Sequence, residues 1–316
     1  MMRELRPFRR FRPYRRFRNY RDTAVPPLAH MAMQHFTTPE RIACKWCGST
    51  DTMKYGIRRG VQEYICNGCH RKFTARNTPK HMRFTVEQIG AALGMFYTGL
   101  SLADITRQME DRNRNSPDPS TVYRWIMRYT KEVIATTGAL RPRVSKVWVV
   151  DETVVAVNKH NLWLFDAIDE RTRFLLGTSL VTNRTAGAAA SFFRAVYDRT
   201  GATPDTILTD GLKSYFLGIS AVYDRHETRH IVTKPFDADV NTNLIERFHG
   251  TLKERLKVMR GLKTQRTAQL ILDGFVIDYN FFRPHMALGN ATPAEVAGID
   301  TGPQNWTDVV KASATK

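Results

Sequence analysis

Three carboxylates stand at positions where a sheet and a helix can bring them together. Asp151 follows the apolar run 146–150, and Asp210 follows the apolar run 206–209. Both runs predict buried strands, and in an open α/β sheet the carboxyl ends of such strands converge on one crevice. Glu246 lies in the first turns of a predicted helix, from which it can face the same crevice.

Clustered carboxylates repel one another, and they commonly persist because a hard cation binds between them. Two Mg²⁺ ions held in this way can stabilise the attacking and the leaving oxygen when a phosphodiester is cleaved by in-line displacement. The alternative is that each Asp only caps a turn at the end of its strand. The coincidence of all three carboxylates predicts a metal-dependent phosphodiester site at Asp151, Asp210 and Glu246.

Two nearby residues are assigned lesser roles. Glu152 follows Asp151 directly, so strand alternation predicts that its side chain points to the opposite face, and we do not expect it to be a ligand. His249 lies one helical turn after Glu246. A structural hydrogen bond is the expected role of His249, with phosphate binding or proton transfer as the alternative.

The cysteines of the chain form two C-x2-C pairs with 18 residues between them: Cys44, Cys47, Cys66 and Cys69. Each pair can present two thiolates to one tetrahedral ion, and the intervening residues can form a hairpin that brings the pairs together. This spacing predicts a closed, structural zinc site. Two disulfides or four reduced thiols are the alternatives, and the lack of a secretion signal disfavours disulfides.

Residues 84–135 show helical periodicity that is broken at Gly99 and again at 113–119. Asp118 and Pro119 suit the N-terminus of the last helix. Helix, break, helix, loop and helix is the order of a helix-turn-helix module, whereas the alternative is an ordinary helical linker. If the module binds DNA, the last helix exposes the contacting side chains of Ser120, Thr121, Arg124 and Arg128.

An α/β pattern follows. Strand-like runs at 146–157, 161–168 and 172–181 are joined by short turns and predict an antiparallel meander. Two further short strands, near 206–210 and 228–233, alternate with helices. This order predicts one mixed five-stranded sheet flanked by helices. We therefore expect five segments: a basic arm at 1–39, a zinc ribbon at 40–78, a helix-turn-helix module at 79–140, a catalytic core at 141–300 and a C-terminal tail at 301–316.

The chain is strongly basic, with 48 Lys and Arg residues against 30 Asp and Glu residues and a formal charge of +18. Such a charge attracts polyanions, most commonly nucleic acid, although membrane-surface and heparin-type binders share it. Residues 1–22 interleave nine Arg with Phe, Tyr and Pro, which is typical of a disordered arm that grips nucleic acid. A solvated tail is the alternative, as is upstream sequence preceding a true start at Met31 or Met33. No apolar run is long enough to span a bilayer, so we expect a cytoplasmic, nucleoid-associated protein.

Four stretches together resemble the insertion-sequence transposases that have a DDE, retroviral-integrase-like catalytic core, most closely those of the IS-six family. The first two surround the aspartates, the third surrounds Glu246 and includes Lys253 seven residues later, and the fourth is a tail segment. They are Val149–Thr153, Leu208–Gly211, Asn243–His249, and Tyr279–His285 with Thr292–Glu295. The resemblance covers roughly residues 84–299, and a zinc ribbon accompanies this core in some members of the family.

This resemblance implies a ribonuclease H-like fold and Mg²⁺ or Mn²⁺ held by Asp151, Asp210 and Glu246. It also implies double-stranded DNA partners, namely the terminal repeats of a mobile element and a target, with assembly as a homodimer or higher oligomer. Lys253 is expected to contact DNA near the scissile phosphate, and Arg247 is a further candidate contact on the same helix. The competing hypotheses are a non-catalytic DNA-binding protein descended from a transposase, and a ribonuclease H-like nuclease that cleaves without strand transfer.

Overall fold

Three short antiparallel strands begin the structure, a computed structural model that describes residues 42–58, 60–75, 77–113, 116–233, 243–259 and 262–314. They are β1 (Thr52–Arg58), β2 (Val61–Cys66) and β3 (Lys72–Thr74), paired in this order. Their small core, formed by Cys44, Cys66 and Phe73, is separate from the main core. This arrangement is compatible with the predicted zinc ribbon. The arm predicted at 1–39 lies outside the described residues.

Three helices follow, as the periodicity predicts: α1 (Val86–Tyr97), α2 (Leu102–Asn113) and α3 (Pro119–Thr137). Gly99 ends the first helix with a φ of +109°, a conformation that glycine adopts without strain. The Asp118 side chain accepts a hydrogen bond from the backbone N–H of Ser120 and so caps α3, with Pro119 in its first turn. The helix break and the cap are therefore confirmed, while DNA binding by these helices stays a prediction.

A mixed five-stranded sheet forms the centre of the larger, C-terminal part of the structure, and its α/β class is confirmed. The strands are β4 (Val147–Val157), β5 (His160–Asp169), β6 (Leu175–Val181), β7 (Thr206–Thr209) and β8 (Arg229–Val232). Their spatial order is β6-β5-β4-β7-β8: the first three form the antiparallel meander, and β7 and β8 add in parallel. Asn158 and Lys159 connect β4 to β5 with positive φ angles, which a tight two-residue hairpin requires.

Helices cover both faces of this sheet. On one face α4 (Ala186–Thr200) packs against β5 and β6, and α5 (Lys213–Ser220) packs against α4. The other face carries α6 (Asn243–Val258) against β4 and β5, and α7 (Gln265–Ile277) against β6. A π-helical turn at Asp278–Phe282 continues α7, and α8 (Pro293–Val296) and α9 (Trp306–Ala314) complete the fold. No helix in the described ranges is long and apolar enough to cross a membrane.

The helices α1–α3 share one continuous hydrophobic core with the sheet domain. Tyr97 of α1 is buried at the junction, where its ring stacks on Trp306 of α9 at a centroid distance of 4.6 Å and meets Phe275 of α7 edge-on at 5.2 Å. Its hydroxyl lies 2.5 Å from the Thr130 hydroxyl of α3. The last helix, predicted only as a tail, therefore joins the helical module to the core.

Gly274 of α7 leaves the space that the Tyr97 ring fills, because a Cβ atom there would overlap the ring. We predict that Gly274→Ala destabilises the protein by about 1–3 kcal/mol, since overpacking outweighs the helix propensity of roughly 1 kcal/mol that alanine contributes. Gly94→Ala, at a helical position with open space beside it, is the matched control and should be neutral or stabilising. Denaturant unfolding of both variants measures the difference, and equal stability would contradict this packing.

Candidate active site

Asp151 and Asp210 lie side by side because their strands are neighbours. Strands β4 and β7 run in parallel, and Val149 is paired with Leu208 two residues before each carboxylate. Strand β7 ends at Thr209, and Gly211, with a φ of +92°, turns the chain away. As a result, carboxylate oxygens of Asp151 and Asp210 lie within 4.8 Å of each other.

Glu152, which we do not expect to be a ligand, also lies close to this cluster. The alternation itself holds: Glu152 points to the α4–α5 face, where it accepts hydrogen bonds from the Tyr215 hydroxyl at 2.7 Å and from Arg184 at 2.8 Å. However, β7 ends here while β4 continues, so this edge of β4 is not covered by a strand from the residues that the structure describes. A Glu152 carboxylate oxygen consequently lies within 4.8 Å of oxygens of both aspartates.

The environments of these three carboxylates differ. Glu152 is nearly inaccessible and is paired with Arg184, whose guanidinium stacks over the Trp163 ring at 3.6 Å. Burial raises the pKa of Asp151 to about 6, although the electrostatic influence of the neighbouring His249 acts in the opposite direction. Asp210 is exposed, and no cation among the described residues forms a salt bridge with it. The two aspartates thus keep most of their capacity to bind a cation.

His249 connects α6 to the sheet beneath it. It lies on the buried face of the helix, where its Nδ1 is 3.5 Å from Asp151 Oδ2 and its Nε2 is 3.0 Å from Asp166 Oδ2. Asp166 is fully buried on β5, directly opposite Asp151 in the strand pair. The sequence analysis missed Asp166, although a carboxylate inside the apolar run 164–168 of a predicted strand was an available signal.

Glu246 occupies the first turn of α6, one helical turn before His249. Its side chain is exposed, and it does not belong to the set of carboxylates within 4.8 Å of one another that the described residues contain. The contact of His249 with Asp151 nevertheless anchors this part of α6 beside the strand ends. The structure therefore brings Asp151 and Asp210 together and places Glu246 on the helix that packs over them.

The four cysteines converge on one point. The Sγ atoms of Cys44 and Cys69 are 3.7 Å apart, those of Cys47 and Cys66 are 3.5 Å apart, and all four lie within 4.8 Å of one another. Four sulfurs around a tetrahedral zinc ion with bonds of about 2.3 Å are roughly 3.8 Å apart. The backbone N–H of Cys69 lowers the pKa of Cys66 to about 7, which favours the thiolate. This donor set fits a structural zinc ion.

The candidate DNA contacts lie on two helices. On α3, Ser120, Arg124 and Arg128 are exposed and Thr121 is half-buried. Arg124 donates a hydrogen bond to the Thr121 hydroxyl at 2.8 Å, and Arg128 pairs with Glu132 at 2.9 Å. On α6 the two basic candidates, Arg247 and Lys253, are both exposed. Arg247 also lines a cavity of about 500 Å³ beside β7 and β8.

Comparison with known proteins agrees with this geometry. The DDE domain family matches residues 145–285. The transposase for insertion sequence-like element IS431mec of Staphylococcus aureus is 25% identical over 192 residues, which cover 59% of this chain and 82% of that protein. The transposase for insertion sequence element IS257 in transposon Tn4003, also from Staphylococcus aureus, is 24% identical over 191 residues with the same coverage.

Among solved structures, the dimeric form of the HTLV-2 integrase catalytic core domain in complex with magnesium aligns with 50% of this chain and 98% of that chain. The sequence identity is 16% and the TM-score is 0.39. The resemblance that the motifs imply is confirmed by the domain match and the relatives: residues 145–285 match the DDE domain family, and the chain is similar to transposases of insertion sequences.

Proposed function

We propose that this chain is a DNA transposase that cleaves the ends of a mobile element and joins them to target DNA. The observation that carries the proposal is the proximity of the Asp151 and Asp210 carboxylates where β7 ends beside β4, within the residues that match the DDE domain family. In this proposal Asp151, Asp210 and Glu246 hold Mg²⁺ or Mn²⁺. The protein acts on DNA in the cytoplasm, at the nucleoid.

The donor set supports a divalent cation. Carboxylate oxygens are the ligands that Mg²⁺ and Mn²⁺ prefer, and oxygens of Asp151 and Asp210 lie within 4.8 Å of each other. Three negative charges meet at this edge, while Arg184 pairs only with Glu152. The aspartates therefore gain most from a cation, because it would remove their mutual repulsion.

Two divalent cations, when bound there, supply activation of the attacking oxygen and stabilisation of the leaving oxygen. The protein's own groups bind and orient the DNA. Lys253 is two turns after Glu246 on α6, on the same side of the helix, and its exposed ammonium can contact a phosphate close to the scissile bond. Arg247 lies beside Glu246 and can neutralise a neighbouring phosphate of the same strand.

The N-terminal modules supply recognition of the element ends in this proposal. The exposed start of α3 can enter the major groove, where arginine reads guanine through two hydrogen bonds. The packing of α1 and α3 against α7 and α9 joins this DNA-binding module to the catalytic sheet. Because the two ends of an element must be processed together, we propose that a homodimer or higher oligomer assembles on the DNA.

The first prediction concerns the three carboxylates. Asp151→Asn, Asp210→Asn and Glu246→Gln should each fold and bind DNA, but lose strand transfer by several orders of magnitude in both Mg²⁺ and Mn²⁺. For Asp151 the folded-state pKa of about 6 exceeds the ordinary 3.8, so the charge lowers the stability of the metal-free protein as pH rises through this interval. Asp151→Asn should therefore unfold at a higher temperature than the parent at pH 7.

Matched controls are available for this assay, which uses a labelled element end and a target plasmid. Asp205→Asn lies just before β7, and Glu254→Gln lies on α6; both side chains are exposed, and both variants should keep full activity. An amide variant at Asp151, Asp210 or Glu246 that keeps near-parental activity would remove that residue from the site. A parent that cleaves without joining would indicate a nuclease, and one that only binds DNA would indicate a non-catalytic protein.

The second prediction concerns zinc. Protein purified without chelators should contain about one zinc ion per chain by elemental analysis. Cys66→Ser should lose the ion and unfold the ribbon, yet leave the sheet domain folded, because the two hydrophobic cores are separate. His70 lies beside Cys69 but does not belong to the cluster of candidate zinc ligands. The control variant His70→Ala should therefore keep the ion. Parent protein without zinc would contradict the ribbon assignment.

The third prediction separates specific from general DNA binding. Arg124→Ala should reduce discrimination between an element end and random DNA by about 10- to 100-fold, corresponding to about 1–3 kcal/mol for a bidentate base contact. Lys131→Ala, an exposed cation further along α3, is the control. Deletion of residues 1–22 should weaken binding to every sequence and flatten its salt dependence. If Arg124→Ala leaves the specificity ratio unchanged, α3 does not read the bases.

A further inference from the structure

A buried imidazole bridges two carboxylates at the edge of the candidate active site. His249 is only 5% exposed, with Asp166 Oδ2 at 3.0 Å from its Nε2 and Asp151 Oδ2 at 3.5 Å from its Nδ1. The two aspartates occupy directly opposed positions on β4 and β5. Their side chains therefore emerge on the same face of the sheet, the face that α6 covers.

Asp166 is poorly explained as a structural residue. It is fully buried, and one of its oxygens, Oδ1, has no hydrogen-bond partner among the described residues. A buried carboxylate is costly unless its hydrogen bonds are complete. An apolar side chain at this position would pack on the same sheet face without that cost.

Asp169, three residues further along β5, shows what a structural carboxylate looks like in this fold. It is equally buried, but its two oxygens accept four hydrogen bonds at 2.6–2.8 Å, from the backbone N–H and the hydroxyl of both Ser145 and Thr172. These bonds join the segment that precedes β4 to the turn between β5 and β6. Asp166 has no such set, and its hydrogen-bond partner is His249.

We propose that Asp166 and His249 are positioning residues for the metal-binding carboxylates; this inference rests on the proposed function. Asp166 fixes the orientation of the imidazole, and the imidazole restricts the Asp151 side chain beside Asp210. The same contact anchors α6 one turn after Glu246, so it also sets how closely that helix end approaches the strand ends. Groups that orient metal ligands in this way raise metal affinity without touching the ion.

The test compares Mn²⁺ affinity with stability in the zinc-loaded full chain, by calorimetric titration and thermal unfolding. The double variant Asp166→Leu with His249→Phe removes both buried polar groups and keeps apolar volume, so it should fold at least as stably as the parent. Its Mn²⁺ dissociation constant should rise about 10- to 100-fold. A purely structural role predicts that affinity and stability change together, whereas positioning predicts that they separate.

His285→Phe is the matched control. This half-buried histidine is packed edge-on against Tyr279 at 4.4 Å, on the tail segment after α7, and its replacement should leave the Mn²⁺ affinity unchanged. If the double variant is folded and binds Mn²⁺ within about twofold of the parent, the positioning role is overturned. If the parent itself binds no Mn²⁺, the proposed metal centre fails and this inference fails with it, a result distinct from an effect confined to the variant.

Discussion

Parallel pairing of β4 with β7 is the constraint on which the rest of this site depends. The pairing extends over only three residues of each strand, and it ends where Asp151 and Asp210 begin to face the same space. If β7 continued, its next residues would cover the edge of β4 and separate the carboxylates. Because it stops, side chains from both faces of β4 reach one open edge, and a high density of negative charge accumulates there.

Side chains from both faces of the sheet hold the carboxylates at that edge. One face of the sheet supplies Tyr215 and Arg184, which hold Glu152, and the other supplies His249, which contacts Asp151. The pKa of Asp151 is raised because burial disfavours its charged form. The metal-free site is therefore strained electrostatically, and a divalent cation is the ligand that would relieve this strain.

Sequence patterns predicted the fold well where apolar periodicity was strong. The meander, the fifth strand and the capped start of α3 all follow from local signals, and so does the convergence of Asp151 and Asp210. The prediction that both aspartates end their strands was wrong for Asp151, because β4 continues to Val157 and only Asp210 follows a strand end. The packing of α9 into the core was not predictable from local patterns, because Trp306 stacks on Tyr97, a residue far away in the sequence.

Some details of the site depend on tertiary structure that local sequence patterns do not encode. Strand alternation correctly predicts that Glu152 points to the face opposite Asp151. No local rule, however, indicates that β7 ends early enough for the Glu152 carboxylate to lie near those of Asp151 and Asp210. Asp166 becomes meaningful only once the register sets it opposite Asp151 and α6 supplies His249. Glu246 was predicted from its helix and its motif, and it lies in the first turn of α6, on the helix that packs against β4.

Anomalous diffraction from crystals of the full chain grown with Mn²⁺ would locate any ion bound at these carboxylates. We expect an anomalous peak coordinated by both Asp151 and Asp210, with the Glu246 carboxylate drawn into the first coordination sphere of a bound ion. An ion held by Asp151, Glu152 and Asp210 while Glu246 stays turned to solvent would contradict the assigned triad. The absence of any peak at these carboxylates, at Mn²⁺ concentrations that support strand transfer, would contradict the metal centre itself.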